Sequence, residues 1–201
     1  MTAIVDYEAG NILSVKNALN RLGSSFEVTS DPSRLRSADH VILPGVGEAS
    51  SAMSRLDVPL DTGERLSDVI LSLEAPVLGI CIGLQLLCAS SEEGDTGCLG
   101  VFSPKVRRFP ADTGDKVPHM GWNTVTDLQG PLFRGIPEGT FFYFVHSFYP
   151  ESVAGQTAAV TEYAGVRFSA ALMKDNFFGT QFHPEKSGAA GAALLKNFLS
   201  L

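Results

Sequence analysis

Short apolar runs separated by helix-length stretches open the chain. Ala3-Ile4-Val5 is an unbroken apolar run of strand length. Residues 14–22 carry helical spacing, with Ser14 placed as an N-cap and Gly23 as a C-cap. Strands are predicted again over 25–28 and 39–43, the second stopped by Pro44-Gly45. A helical stretch over 62–73 precedes the apolar strand 76–80, which runs into a helix over 82–89. Continuous apolar strands alternating with helices predict a parallel sheet covered on both faces. After Leu99 the texture turns to β-rich segments: 106–109, 122–125, 141–145, 158–163, 170–174 and 177–182. The last two flank Asp175-Asn176, a two-residue hairpin. A closing helix over 188–199 has Leu194, Leu195, Phe198 and Leu199 on one face. The pattern therefore predicts an α/β protein with one mixed, mostly parallel central sheet flanked by helices. The antiparallel additions fall in the second half, and one domain spans residues 1–201.

Composition narrows the possible partners. With 15 Lys+Arg against 22 Asp+Glu the net charge is −7, and no basic stripe is present, which disfavours nucleic acid and anionic membranes. Hydrophobic residues at 44% and charged residues at 18% suit a folded globular chain. The opening residues lack a basic region followed by an apolar core, so a signal peptide is not expected. Val77 to Ala89, the most apolar stretch, is too short to span a bilayer and contains Gln85. Cys81, Cys88 and Cys98 form no metal-like cluster, and a reducing, cytoplasmic setting is the expectation. His40, His119 and His146 show no paired ligand spacing, so structural or surface roles are expected and no metal or cofactor.

Three segments carry candidate chemistry. Gly79-Ile80-Cys81-Ile82-Gly83 places a nucleophile between small residues at a strand-to-helix junction, where a tight turn exposes it. The following helix start favours thiolate, and the Ile82 N–H lies beside any oxyanion formed at Cys81. The competing reading is a buried cysteine in an apolar strand. Gln181-Phe182-His183-Pro184-Glu185 sets a carboxylate beside an imidazole, since side chains in extended backbone repeat every second residue. Pro184 biases His183 to extended geometry, and Glu185 can then fix the ring's tautomer. Leu43-Pro44-Gly45-Val46-Gly47 ends a strand with peptides free to aim N–H groups at developing negative charge. Read instead as a dinucleotide fingerprint, that segment lacks its third glycine.

In this order, the three segments resemble the class I (triad) glutamine amidotransferases. Asp6-Tyr7-Glu8-Ala9-Gly10-Asn11-Ile12-Leu13-Ser14-Val15, Pro118-His119-Met120-Gly121-Trp122-Asn123 and Tyr143-Phe144-Val145-His146-Ser147 extend the resemblance over most of the chain. So does His183-Pro184-Glu185-Lys186-Ser187-Gly188 leading to Leu194-Leu195-Lys196-Asn197-Phe198. The resemblance implies a single-domain, flavodoxin-like amidotransferase fold. It makes Cys81 the nucleophile, His183 the general base and acid, and Glu185 its orienter, with Gly47 and Ile82 framing the oxyanion. Gln85, Glu93, Ser147 and Phe148 match positions that hold glutamine. Asn11, Trp122, Tyr143 and Lys186 match positions facing a (β/α)-barrel cyclase/synthase subunit in a heterodimer. The resemblance implies that the released ammonia is built there into imidazole glycerol phosphate in histidine biosynthesis. The chain departs from the usual pattern at Glu8, where the family has glycine, at Leu84 and at Phe148, which lacks a phenol. An amidotransferase of another pathway, a free γ-glutamyl hydrolase and a non-catalytic relative share parts of the pattern.

Overall fold

In the computed structural model, residues 1–8, 12–111 and 114–201 are described. In chain order the elements begin with β1 (Thr2–Val5), α1 (Leu13–Arg21), β2 (Phe26–Thr29), α2 (Pro32–Arg36), β3 (His40–Leu43) and α3 (Ala49–Leu56). They continue with α4 (Leu66–Leu71), β4 (Val77–Ile80), α5 (Ile82–Leu87), β5 (Ser90–Ser91), β6 (Thr96–Gly97) and β7 (Lys105–Arg108). The remainder is β8 (His119–Val125), β9 (Thr140–His146), β10 (Phe148–Pro150), β11 (Thr157–Tyr163), β12 (Val166–Lys174), β13 (Phe177–Thr180) and α6 (Gly188–Phe198).

The central sheet has seven strands in the order β11-β12-β13-β4-β3-β1-β2. β2, β1, β3, β4 and β13 run parallel, and β12 and β11 add antiparallel at one edge. Reading the parallel strands from the β2 edge gives the flavodoxin-like arrangement, in which ligands sit beyond the carboxyl ends of the strands. β1 and β4 are buried at every position, as their unbroken apolar runs predict for strands covered on both faces. The covering helices turn one stripe inward: Val15, Ala18 and Leu19 from α1, and Leu194, Leu195 and Phe198 from α6.

The expected single sheet divides. β10, β7, β5 and β6 form a second sheet of four strands, and β8 and β9 a third of two. Alternation marks a strand but not its neighbour, and pairing over long sequence separation is decided by packing. Element ends also move. Ser14 lies inside α1, whose N-cap is Ile12 with no side-chain bond, so the expected serine cap is not made. Gly23 does follow the helix with φ +68°. The stretch over 62–73 shortens to α4, preceded by a turn. α2 and α3 were not predicted, although Asp31-Pro32 is a helix-start signal: the Asp31 carboxylate accepts from the Ser33 N–H at 2.8 Å with Pro32 in the first turn. The Asp175-Asn176 hairpin forms as expected, joining Lys174 to its partner Phe177. Among the described residues, no helix is long and apolar enough to cross a membrane.

Candidate active site

Adjacent strands bring the three segments together. β3, β4 and β13 are neighbours, with Leu43 opposite Gly79 and Thr180 opposite Ile80. Each strand ends just before one candidate segment, so the Gly45–Gly47 turn, Cys81 and His183 emerge side by side at the carboxyl edge.

Cys81 sits at the β4–α5 junction with φ +53° and ψ −105°, a backbone state costly for a residue bearing a side chain. Its N–H donates to the Thr180 carbonyl at 2.8 Å, which ties the strained residue to β13. A side chain is impossible on either side of this elbow. A Cβ at Gly79 would lie 2.6 Å from the Gly83 carbonyl oxygen, and one at Gly83 would overlap the Leu43 carbonyl oxygen. The strand, elbow and helix are therefore packed backbone against backbone. The Cys81 sulfur lies 3.9 Å from the Val145 carbonyl oxygen and 3.7 Å from the Gln181 side-chain nitrogen.

His183 is buried in an extended conformation before a 3₁₀ turn over Pro184–Lys186. Glu185 meets it through that turn, not through the straight extended run expected from the sequence. The distance from Nδ1 to the Glu185 Oε1 is 2.8 Å, with both side chains almost fully buried. The His183 N–H donates to the Tyr143 carbonyl at 2.9 Å, and the Ser187 hydroxyl donates to the His183 carbonyl at 2.7 Å. These bonds clamp the turn to β9. Glu185 occupies Nδ1, so Nε2 is the ring nitrogen left to Cys81. Burial alone would lower the His183 pKa. The negative Cys81 sulfur and the bonded Glu185 carboxylate outweigh it and push the value up to about 10. A protonated His183 ring is the state this setting favours.

A cavity of about 310 Å³ opens over the pair, at the small end of the range for small-molecule sites. Its lining includes Cys81, His183, Gly47, Ile82, Gln85, Glu93, Ser147 and Phe148, so every sequence-predicted oxyanion and substrate residue reaches one pocket. Gly47 adopts φ +107° with open space where a Cβ would point. The Glu93 carboxylate accepts from the Ala49 N–H at 2.8 Å, and burial raises its pKa against that bond. The Gln85 side-chain nitrogen donates to the carbonyl of Phe148 and to Gln181, each at 3.0 Å, which leaves its Oε1 buried without a partner. Lys186 lies at the mouth of the cavity. Trp122 is 56% exposed, and its ring meets Tyr143 edge-on at 6.1 Å. Asn11 lies outside the described residues.

Sequence reasoning missed three contributors. Gln181 bridges Gln85 and Cys81, and its position two residues before His183 was the available signal. Tyr7 donates to the Pro44 carbonyl at 2.6 Å, anchoring the root of the glycine turn. His146, expected to be structural or superficial, is buried and lines the cavity. The alternation of buried residues at Phe142, Phe144 and His146 along β9 would have turned it inward. Cys88 is buried and Cys98 half-buried, both away from the cavity lining.

Residues 3–201 match the family profile described as glutamine amidotransferase class-I. The chain belongs to the class-I glutamine amidotransferase family. Relatives to which this amidotransferase is similar include the imidazole glycerol phosphate synthase subunit HisH of Bacteroides fragilis, 53% identical over 200 residues, with 99% of this chain and 98% of the relative covered. The protein of the same name from Haemophilus influenzae is 48% identical over 197 residues, covering 98% and 95%. A crystal structure of a glutamine amidotransferase superimposes with a TM-score of 0.72 at 16% identity, covering 98% of this chain and 97% of that one, a likeness of fold.

Proposed function

We propose that this amidotransferase is the glutaminase subunit of imidazole glycerol phosphate synthase, with Cys81, His183 and Glu185 as its triad. The observation that carries the assignment is the strained Cys81 elbow facing a His183 whose Nδ1 is held by Glu185 at 2.8 Å in one cavity. The Cys81 thiolate attacks the carboxamide carbon of glutamine, forming a C–S bond while the carbonyl electrons move to oxygen. The Gly47 and Ile82 N–H groups face that oxyanion. Collapse of the intermediate breaks the C–N bond, and His183 donates its Nε2 proton so that ammonia leaves. Water then attacks the thioester, His183 takes a proton from it, and glutamate departs with the thiolate restored. Glu185 keeps the proton of Nδ1 in place and stabilises the imidazolium. Gln85, Glu93, Ser147 and Phe148 form the wall that holds the substrate.

Ammonia passes to a (β/α)-barrel cyclase/synthase subunit docked over Lys186 at the cavity and over the Trp122–Tyr143 pair, and is built into imidazole glycerol phosphate in histidine biosynthesis. The relatives' names and the exposed Trp122 beside Tyr143 support this partner. Gly47 has φ +107° with no neighbour where a Cβ would point, and glycine's conformational freedom there lets the oxyanion donor be misaimed at rest and set when the ligand-bound partner docks.

Glutamate release by the chain alone, with the barrel subunit, and with the barrel subunit and its ligand tests the reading. Turnover rises at least about tenfold in the last case, within the range that one oxyanion donor can supply. Cys81→Ala abolishes glutamine-dependent synthesis and spares synthesis from ammonium salts. A glutamine-like electrophile labels Cys81 and neither Cys88 nor Cys98, whose thiol burial pushes up to about 11. Full activity of the lone chain, or glutaminase activity in Cys81→Ala, overturns the reading.

A further inference from the structure

A file of polar groups, half-buried at Asn123 and buried at His119 and His146, runs from β8 to the cavity wall, and its two ends determine the direction of every hydrogen bond in it. At the outer end, the Asn123 Oδ1 accepts from the Thr124 N–H at 2.8 Å, while Nδ2 donates to the Glu162 carbonyl at 2.9 Å. The same Nδ2 lies 3.4 Å from the His119 Nε2. The His119 Nδ1 lies 3.0 Å from the His146 Nε2, and the His146 Nδ1 lies 2.7 Å from the Phe148 carbonyl oxygen. A carbonyl oxygen only accepts, so the His146 Nδ1 carries hydrogen. In the neutral ring, Nε2 then accepts, which requires hydrogen on the His119 Nδ1 and a lone pair on its Nε2 facing the Asn123 amide. Burial holds both rings neutral, lowering His119 to about 4 and His146 to about 3.

The receiving end matters because the Phe148 carbonyl also accepts from Gln85, and Ser147, Phe148, Gln85 and His146 all line the cavity. We propose that Asn123, His119 and His146 form a one-way hydrogen-bond relay, both histidines as neutral Nδ1–H tautomers, that holds the Ser147–Phe148 edge of the cavity in position for substrate. His119 is thereby a positioning residue: it lies outside the cavity lining and acts through His146. The functional part of the proposal rests on the glutaminase reading above, whereas the tautomers do not.

His119 also stacks between Tyr163 at 3.9 Å and Phe144 at 4.7 Å, so a packing role has to be separated from the relay. Two substitutions divide them. His119→Phe keeps a ring in the stack and removes the donor, while His119→Asn loses the ring and keeps an Nδ donor at the same distance from the backbone. In the complex with the barrel subunit and its ligand, His119→Phe raises the KM for glutamine about tenfold with kcat within about threefold, and His119→Asn stays nearer the parent. The reverse order, with the parent KM kept by His119→Phe, overturns the positioning role. Long-range ¹⁵N correlation spectra of the full unsubstituted chain at neutral pH read the tautomers directly. Nδ1–H signatures at both His119 and His146 are expected, and an Nε2–H or a charged ring at either position overturns the relay whatever the kinetics. A parent complex with no glutaminase activity but Nδ1–H spectra would count against the functional reading and leave the relay standing.

Discussion

The elbow at Gly79–Gly83 and the turn at Gly45–Gly47 end neighbouring strands and face one cavity, yet glycine does different work in them. In the elbow its use is steric. Added Cβ atoms would meet the backbone of β3 and α5, so nothing can shift without moving the sheet. The turn after β3 begins the same way: a Cβ at Gly45 would lie 2.7 Å from the Ile82 Cβ and 2.8 Å from the Tyr7 hydroxyl. Gly47 reverses the condition. It has open space and φ +107°, so conformation alone selects glycine there. The nucleophile is thus located by the packing of the whole central sheet, whereas the proposed oxyanion donor belongs to a glycine selected by its backbone conformation and not by a close neighbour. A site built this way can be switched at the donor while its nucleophile stays fixed.

The largest expected effect tests the steric half of that contrast. Gly83→Ala places a methyl group on the Leu43 carbonyl oxygen and costs about 4 kcal/mol or more of stability, read as a collapse of the urea unfolding midpoint. A stable Gly83→Ala protein would show that the elbow is not close-packed. Gly47→Ala has the opposite profile. It lowers glutamine turnover in the complex by about 10²–10³, lowers the unfolding midpoint through the strain of φ +107° but by less than Gly83→Ala does, and changes partner affinity less than turnover. Turnover unchanged in that variant would remove Gly47 from the oxyanion site.

The pH dependence of stability sharpens the elbow side further. The folded-state value of His183 is raised to about 10, above its unfolded value, so its ion pairing contributes stability that is fully present below about pH 6.5 and is lost as pH rises through the folded value. Urea midpoints measured from pH 6.5 to 10 should therefore fall, and Cys81→Ala should flatten the fall by removing the negative sulfur. A slope identical in both proteins would mean that the sulfur does not hold the proton on His183.

The smallest effect concerns a third loop, after β1, where a residue with a side chain occupies a left-handed position. Glu8 has φ +59°, a left-handed conformation that glycine adopts at lower cost. Its exposed carboxylate pairs with Arg55. Glu8→Gly and Glu8→Ala both lose that pair, but only glycine relieves the backbone, so the glycine variant is the more stable of the two by about 1 kcal/mol. Equal midpoints would show that the loop carries no such strain.

Local chemistry was enough to single out most of the residues that the fold gathers at the candidate site. Glycines around Cys81, a proline after His183 and a carboxylate beyond it are short-range features whose physical meaning survives without a fold. The same holds for β1 and β4, because an unbroken apolar run of strand length is stable only when both faces are covered. Sequence did not disclose that the second-half strands divide among three sheets, since which strand lies beside which is settled by contacts between residues far apart in the chain. Nor did it disclose the Glu185 turn, since a 3₁₀ turn and an extended run both allow a carboxylate to reach the ring. His146 and Gln181 were hidden for a related reason: their importance lies in partners 27 and 96 residues away, His119 and Gln85. The chain by itself thus determined which groups can do the chemistry. Only the tertiary structure decided their distances, their burial and the direction of the bonds between them, because these depend on the low-dielectric, close-packed interior that forms when β3, β4 and β13 align.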